Sequence, residues 1–276
     1  MILVAGATGN VGGALVRALT DEGEKVRALT RDPDRAVLPD GATAVAGDLN
    51  DPVTLRPAFA GVRAVFLLSG YADMPGLLAE IRAAGAERVV LMSGSSAESA
   101  GPDNPITDYM VASEQAVTES GLPHTILRPR TFMSNTTQWL AQLRAGDVVR
   151  GPWGGVAVAT VDPADIAAVA AQALTTAHHE GKVYPVTGSQ PLTPGERVAV
   201  LADVLGRPLR FENQPDDEAR AAMEQEMPAE YVAAFFSFFS GGHIDESTVY
   251  PTVERVTGRP PRTFHEWATA NADRLR

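Results

Sequence analysis

Gly6-Ala7-Thr8-Gly9-Asn10-Val11-Gly12 follows an apolar run at residues 2–5 and opens a segment in which Val11, Ala14, Leu15, Ala18 and Leu19 recur at three- and four-residue steps. The run reads as a buried strand, and the recurrence as one apolar face of a helix. A second apolar run at residues 25–30 completes a strand–turn–helix–strand unit. In that context the three glycines carry weight that an isolated triplet lacks. Gly6 permits the tight turn, Gly9 lets a pyrophosphate approach the backbone, and Gly12 allows helix and strand to pack closely. The helix N-terminus adds unpaired amides and partial positive charge for an anion. A glycine-rich turn without a ligand is the alternative.

The same unit repeats along the first half of the chain. Apolar runs at residues 43–46, 64–68, 88–92 and 125–128 bring the candidate strands to six. Runs without polar alternation suit parallel strands covered on both faces, and their alternation with helical segments implies right-handed crossovers. The predicted fold is α/β: a doubly wound parallel sheet in residues 1–150 and a smaller, mostly helical cap in residues 151–276. Residues 182–187, from Lys182 to Thr187, are expected to return to the sheet as a seventh strand, giving one integrated unit. Helix starts dominate the second half. Asp162-Pro163-Ala164-Asp165 places a capping residue before a first-turn proline, while Thr193-Pro194-Gly195-Glu196 and Thr263-Phe264-His265-Glu266 both fit the capping box. Asp162 and Asp165 are read as helix-capping acids rather than a catalytic pair.

Composition narrows the partners. Among 276 residues, 34 are acidic and 23 basic, a net charge of −11. That balance repels nucleic-acid backbones and anionic membrane surfaces, so neither is an expected partner. The absence of cysteine excludes disulfides, thiol nucleophiles and Cys-ligated metals. The five histidines show no metal spacing, and no metal is expected. No run approaches the ~18 apolar residues of a membrane span, and the first apolar run stops too soon for a signal peptide. A cytoplasmic location is expected. No Gly-x-Ser-x-Gly elbow is present, which argues against a serine hydrolase. Composition leaves the oligomeric state open.

The end of the second strand selects the nucleotide. NAD-selective folds place a carboxylate there for the ribose 2′-hydroxyl, whereas this chain reads Ala28-Leu29-Thr30-Arg31. A guanidinium binds a 2′-phosphate through paired hydrogen bonds, and Arg35 stands one turn further on. The predicted cofactor is NADPH. In the alternative reading Asp32 and Asp34 neutralise Arg31 and leave it merely solvated.

The Gly-x-x-Gly-x-x-Gly spacing resembles that of the extended and atypical short-chain dehydrogenase/reductases, in the NAD(P)-binding Rossmann superfamily. Ala46-Gly47-Asp48-Leu49 looks like their element whose aspartate faces adenine. Gly121-Leu122-Pro123-His124-Thr125-Ile126-Leu127-Arg128-Pro129, running on to Phe132 and Asn135, is similar to the NmrA-like branch, as is Asp162-Pro163-Ala164-Asp165-Ile166-Ala167. The resemblance covers most of residues 1–210. It implies a Rossmann-type sheet with an NADPH site formed by Gly6, Thr8, Gly9, Asn10, Val11, Gly12, Arg31, Arg35, Asp48 and Leu49. At the ends of the later strands it adds Leu68, Ser69, Ser93, Pro129 and Phe132. It also implies a serine after the fifth strand. In Met92-Ser93-Gly94-Ser95-Ser96 the best match by offset is Ser95, with Ser96 beside it.

Typical members of that superfamily pair this serine with a Tyr-x-x-x-Lys helix, whose lysine lowers the tyrosine pKa so that it passes a proton at neutral pH. Here Tyr109 is followed four residues on by Ser113, and the only lysines are Lys25 and Lys182. The Tyr–Lys pair is therefore absent, as is common in the NmrA-like branch, where Glu114 takes the place of a recurring glutamate. Ser95, Ser96 and Tyr109 remain the candidate catalytic donors, with loop capping and packing as their alternatives. A tyrosine near its reference pKa of ~10 is a weak acid at neutral pH, so a substrate whose reduced anion is delocalised suits the site. The expected activity is that of an NADPH-dependent oxidoreductase: hydride transfer to an aromatic or polycyclic ketone or a quinone. A polyketide intermediate of antibiotic biosynthesis is one small aromatic substrate of this kind. A non-catalytic NADP(H)-binding redox sensor is the alternative. Tyr231, Phe235, Phe236, Phe238 and Phe239 crowd one predicted helix after Pro228. Tyr231, Phe235, Phe236 and Phe239 are taken as candidate substrate contacts, against a dimer contact or plain cap core.

Overall fold

A computed structural model describes residues 1–98 and 104–276. Its main sheet contains β1 (Ile2–Val4), β2 (Val26–Thr30), β3 (Ala42–Ala46), β4 (Ala64–Leu68), β5 (Arg88–Met92) and β6 (His124–Pro129). Two later strands, β7 (Val148–Gly151) and β8 (Lys182–Val186), precede β9 (Arg210–Asn213). The order is β3-β2-β1-β4-β5-β6-β8, with every pair parallel. Chain order reverses between β1 and β4, and a crevice at the carboxyl ends of the strands forms at such a reversal.

Both faces of the sheet are apolar because both are covered. Ile2, Val4, Phe66 and Val90 pack on one side with Leu15 and Leu19 of helix Asn10–Asp21 and Ile166 and Val169 of helix Pro163–Thr175. Leu3, Val65, Leu67 and Leu91 pack on the other with Leu77 and Ile81 of helix Met74–Ala83 and Val117 of helix Pro105–Glu119. Adjacent residues on one strand thus enter different cores, which removes the polar alternation of a half-exposed strand.

In the second half both capping boxes form, Thr193 with Glu196 and Thr263 with Glu266. The pair β7–β9 is an additional parallel two-stranded sheet, with β7 across the expected boundary at residue 150 and β9 inside the part expected to be mostly helical. Its strands are four residues long and carry Arg150, Arg210 and Glu212, so neither announces itself by periodicity. Asp162 caps helix Pro163–Thr175 by accepting from the Ala164 amide at 2.8 Å. The capping reading fails for Asp165. That carboxylate is fully buried and accepts from Arg259 Nη1 at 2.7 Å, Arg262 Nη1 at 2.8 Å and the Arg262 amide at 2.7 Å. It ties the C-terminal segment to the sheet-covering helix. Among the described residues no helix is long and apolar enough to cross a membrane.

One buried cation in the cap core lacks a counter-ion among the described residues. Arg197, 7% exposed, lies with its Cζ 5.0 Å from the Trp139 ring centroid, and its Nε has no partner. Burial pushes its guanidinium down to about 10. The charged form is therefore less favoured in the fold than in the unfolded chain, a penalty present at neutral pH and relieved as pH rises above about 10. Arg197→Met keeps the stem and deletes the charge. It is expected to raise the Tm at pH 7 by about 2–4 °C, corresponding to ~1 kcal/mol. A lowered Tm in thermal melts would show that the cation–π contact outweighs desolvation.

Candidate active site

The first of two cavities at the carboxyl ends of the strands has a volume of about 790 Å³ and is lined by Gly6, Thr8, Gly9, Arg31, Arg35, Asp48, Leu49, Leu68 and Tyr71, among others. Gly6 turns the chain after β1 with φ +61°. A Cβ on Gly12 would lie 2.1 Å from the Gly6 carbonyl oxygen, so helix and turn touch backbone to backbone. Helix Asn10–Asp21 begins at Gly9 without a side-chain cap. Its first amides therefore keep their donor capacity for an anion. Val11 is buried under the loop, while Asn10 Nδ2 donates to Ser134 Oγ at 3.2 Å. Asp48 Oδ1 accepts from the Asn50 amide at 2.9 Å, and Asn50 Oδ1 from the Ala72 amide at 3.0 Å, closing the far wall. Asp32 lies 3.9 Å from Arg35 in an exposed pair, whereas Arg31 has no hydrogen-bond or ionic partner among the described residues. An uncapped helix start, a backbone-tight glycine turn and an unneutralised arginine fit a phosphorylated dinucleotide.

The second cavity, about 250 Å³, lies past β5 and β6 and brings together Ser93, Ser95, Ser96, Pro129, Phe132, Phe235 and Phe239 from the sequence-derived set. Ile106, Met110, Phe238 and Ile244 complete an apolar lining. Ser69 instead donates to the Met92 carbonyl at 3.3 Å, joining the ends of β4 and β5. Phe236 is a correction: it packs edge-on to Trp153, centroids 5.2 Å apart, with Val232 and Ala219 on the far face of helix Ala229–Phe239. Five aromatics in nine residues do not fit one face, and the structure divides them. Tyr231 packs in the cluster of Ile106 and Phe238 without lining the cavity.

The three serines differ. Ser96 Oγ donates to Met110 Sδ at 2.9 Å, and Ser95 Oγ donates to Glu246 Oε1. Ser93 Oγ is buried without a partner among the described residues. Ser93, taken from sequence as a cofactor contact, lines the cavity with its hydroxyl covered, while the Ser95 and Ser96 hydroxyls are engaged. Glu246 is the residue that sequence reading missed. It is 5% exposed, and its Oε2 accepts from both the Thr131 amide and Thr131 Oγ1 at 2.9 Å. In sequence it sits among Asp245, Ser247 and Thr248, a polar stretch that reads as a solvated loop.

Tyr109 lies outside both cavities, with its ring edge 3.2 Å from where a Cβ on Gly70 would be. Burial, then the neighbouring Tyr231, pushes its phenol above the ordinary tyrosine value. Ser113, in the lysine's place, donates to the Tyr109 carbonyl at 2.7 Å and accepts from the Gly70 amide at 3.0 Å. Glu114 holds Arg128 through two hydrogen bonds of 2.9 and 2.6 Å. Lys25 just precedes β2, and Lys182 pairs with Thr125 at the start of β6. Both lysines therefore sit at the amino ends of the strands, opposite the cavities.

Residues 6–177 match a family described as NAD(P)H-binding. Over 278 residues the chain is 42% identical to a (4-alkanoyl-5-oxo-2,5-dihydrofuran-3-yl)methyl phosphate reductase of Streptomyces griseus, covering 99% of this chain and 98% of that protein. It is 36% identical to an NAD(P)H azoreductase of Xenophilus azovorans, again over 99% and 98%. The NADPH-dependent quinone oxidoreductase of Escherichia coli, crystallised with NADPH, superimposes with a TM-score of 0.82 at 25% identity, over 98% of this chain and 99% of that one.

Proposed function

Because the chain belongs to the NAD(P)H-binding family, we propose that it is a reductase of flat, conjugated acceptors, namely quinones and conjugated ketones including polycyclic aromatic ones, with NADPH as donor. That it is an NAD(P)H-dependent oxidoreductase accords with its relatives, whose names specify a furanone phosphate, azo compounds and quinones. Each of those acceptors is a conjugated π system. The observation that carries the finer reading is Ser113, fastened to the Gly70 amide where the superfamily's lysine would stand, with Tyr109 packed outside the cavity.

In this reading the amides at the start of helix Asn10–Asp21 hold the pyrophosphate, Arg31 and Arg35 hold the 2′-phosphate, and Asp48 and Leu49 border the adenine. The bound dinucleotide supplies the hydride. Pro129 and Phe132 form the wall on the nicotinamide side, and Phe235, Phe238 and Phe239 stack on the substrate and exclude water. Among the described residues no lysine, histidine or tyrosine lines this cavity, so in this reading the reduced anion is stabilised by its own delocalisation.

NADPH consumption measured across a panel of acceptors tests this. Turnover is expected with quinones and conjugated ketones and not with isolated aliphatic ketones; equal rates on the last would overturn the reading. Tyr109→Phe is expected to lower turnover by no more than ~10-fold, where loss of a working general acid costs ~10²–10⁴-fold. A ~10³-fold loss with NADPH affinity intact would restore tyrosine as the acid. Arg31→Ala is expected to weaken NADPH by ~10–100-fold and leave NADH unchanged, the loss of charge-assisted bonds to one phosphate. Equal affinities of the variant and wild type for NADPH would remove Arg31 from nucleotide selection.

A further inference from the structure

Glu246 presents a buried negative charge without a counter-ion. Its three hydrogen-bond donors, Ser95 Oγ, the Thr131 amide and Thr131 Oγ1, are all neutral. Among the described residues no lysine, arginine or histidine pairs with it; the buried Arg130, which lines the same cavity, instead pairs with Glu98 at 3.1 Å and lies over the Tyr250 ring at 5.6 Å. The carboxylate lines a cavity whose other walls combine the apolar Ile106, Phe132, Phe235 and Phe239 with the polar Arg130 and Asn135. An unpaired buried charge is costly, and in an apolar surrounding its field is weakly screened. A carboxylate held at a cavity wall in this way is placed to meet a positive charge bound there.

We propose that Glu246 is an electrostatic partner for the positive charge that the nicotinamide ring carries in its oxidised form, and that it thereby favours hydride departure. The inference rests on the cofactor reading above, in which Pro129 and Phe132 wall the nicotinamide. Thr131, which binds Glu246 through two groups, lies between those two residues. When the ring gives up a hydride, a proton with two electrons, to the acceptor, it passes from neutral to singly positive. A fixed carboxylate at that wall stabilises the second state and not the first, so it acts on the transition state in proportion to the charge developed. Three hydrogen bonds hold it in place beforehand, which removes the cost of reorienting it during the reaction. Ser95 and Thr131 become positioning residues for Glu246. From sequence Ser95 is a candidate catalytic donor; here its hydroxyl is bound to Glu246.

The test reads binding rather than turnover. Dissociation constants of NADP⁺ and NADPH are measured by calorimetric titration for the wild type and for Glu246→Gln, whose amide still accepts from Thr131. The expected result is a ~10-fold weakening of NADP⁺, with NADPH held within ~2-fold, the size that a fixed charge at short range gives in a partly screened site. Glu246→Ser, smaller and also neutral, serves should the glutamine variant not fold. Thr131→Val keeps the charge and should leave the ratio of the two constants near that of the wild type. If both nucleotides weaken equally in the neutral variants, or neither does, Glu246 acts only as a tie between cap and sheet and the proposal is wrong. Should the wild type bind neither nucleotide, the cofactor reading falls and this inference with it.

Discussion

Gly12→Ala is expected to weaken NADPH binding by ~100-fold or more while lowering stability by ~1–3 kcal/mol. The added Cβ would stand 2.1 Å from the Gly6 carbonyl oxygen and 2.6 Å from its carbon, both backbone atoms that no rotamer change moves aside. Relief requires the helix to back away from the turn, at the ordinary cost of overpacking. That displacement carries the first amides of helix Asn10–Asp21 away from the pyrophosphate they are proposed to hold. Losing two charge-assisted hydrogen bonds at ~1.5–3 kcal/mol each accounts for the loss of affinity. The next residue supplies the control. A Cβ on Gly13 would meet its nearest neighbour, the Ala7 carbonyl oxygen, at 3.4 Å, an ordinary contact. Gly13→Ala should therefore bind NADPH within ~3-fold of the wild type and gain slightly in helix stability. Titration of both variants, with thermal melts alongside, decides the matter. Equal affinities for the two would show that the backbone contact at Gly12 does not shape the anion site.

What was legible in the sequence was whatever a local pattern records. The strand ends of β4 and β5 agree with the apolar runs because buried parallel strands have no polar residue at which to stop early. The glycine loop was legible because backbone approach and helix packing each demand glycine at a fixed spacing. The missing lysine was legible by counting. The second cavity was legible only in part. Phe235 and Phe236 are neighbours in sequence, yet one lines the cavity and the other packs against Trp153, because a helical step of ~100° separates them. Ser93, Ser95 and Ser96 look interchangeable until their partners are known. Two of those partners, Met110 and Glu246, lie 14 and 151 residues away. Glu246 left no local signal: its burial comes from Thr131 on the loop after β6 and Ser95 on the loop after β5, contacts that only the closed fold creates. The β7–β9 pair failed to register for the same reason, since Val148 meets Arg210 across most of the intervening cap.

Asp165→Ala should produce the largest loss of stability, about 3 kcal/mol and a Tm lower by roughly 6–12 °C. The carboxylate is fully buried on helix Pro163–Thr175, and its three donors come from the turn between helices Thr252–Thr257 and Phe264–Ala270. Removing it leaves the Arg262 amide without its acceptor and opens a void where two guanidiniums converged. The arginine side chains are 39% and 41% exposed, so they recover water once released, which keeps the loss near the lower end for a broken buried pair. Asp165→Asn keeps an acceptor for the amide but not the charge for the arginines, and should fall between alanine and wild type. Because the carboxylate lies outside both cavities, NADPH affinity measured well below the melting transition should stay within ~3-fold in either variant. A chain read from sequence alone would assign Asp165 to helix capping, and a lost cap costs only ~1 kcal/mol. A measured loss of that size, with asparagine equal to alanine, would show that the arginines contribute nothing and that the carboxylate's role is local. A loss near 3 kcal/mol that asparagine halves would place the C-terminal segment's attachment to the sheet on this one buried charge.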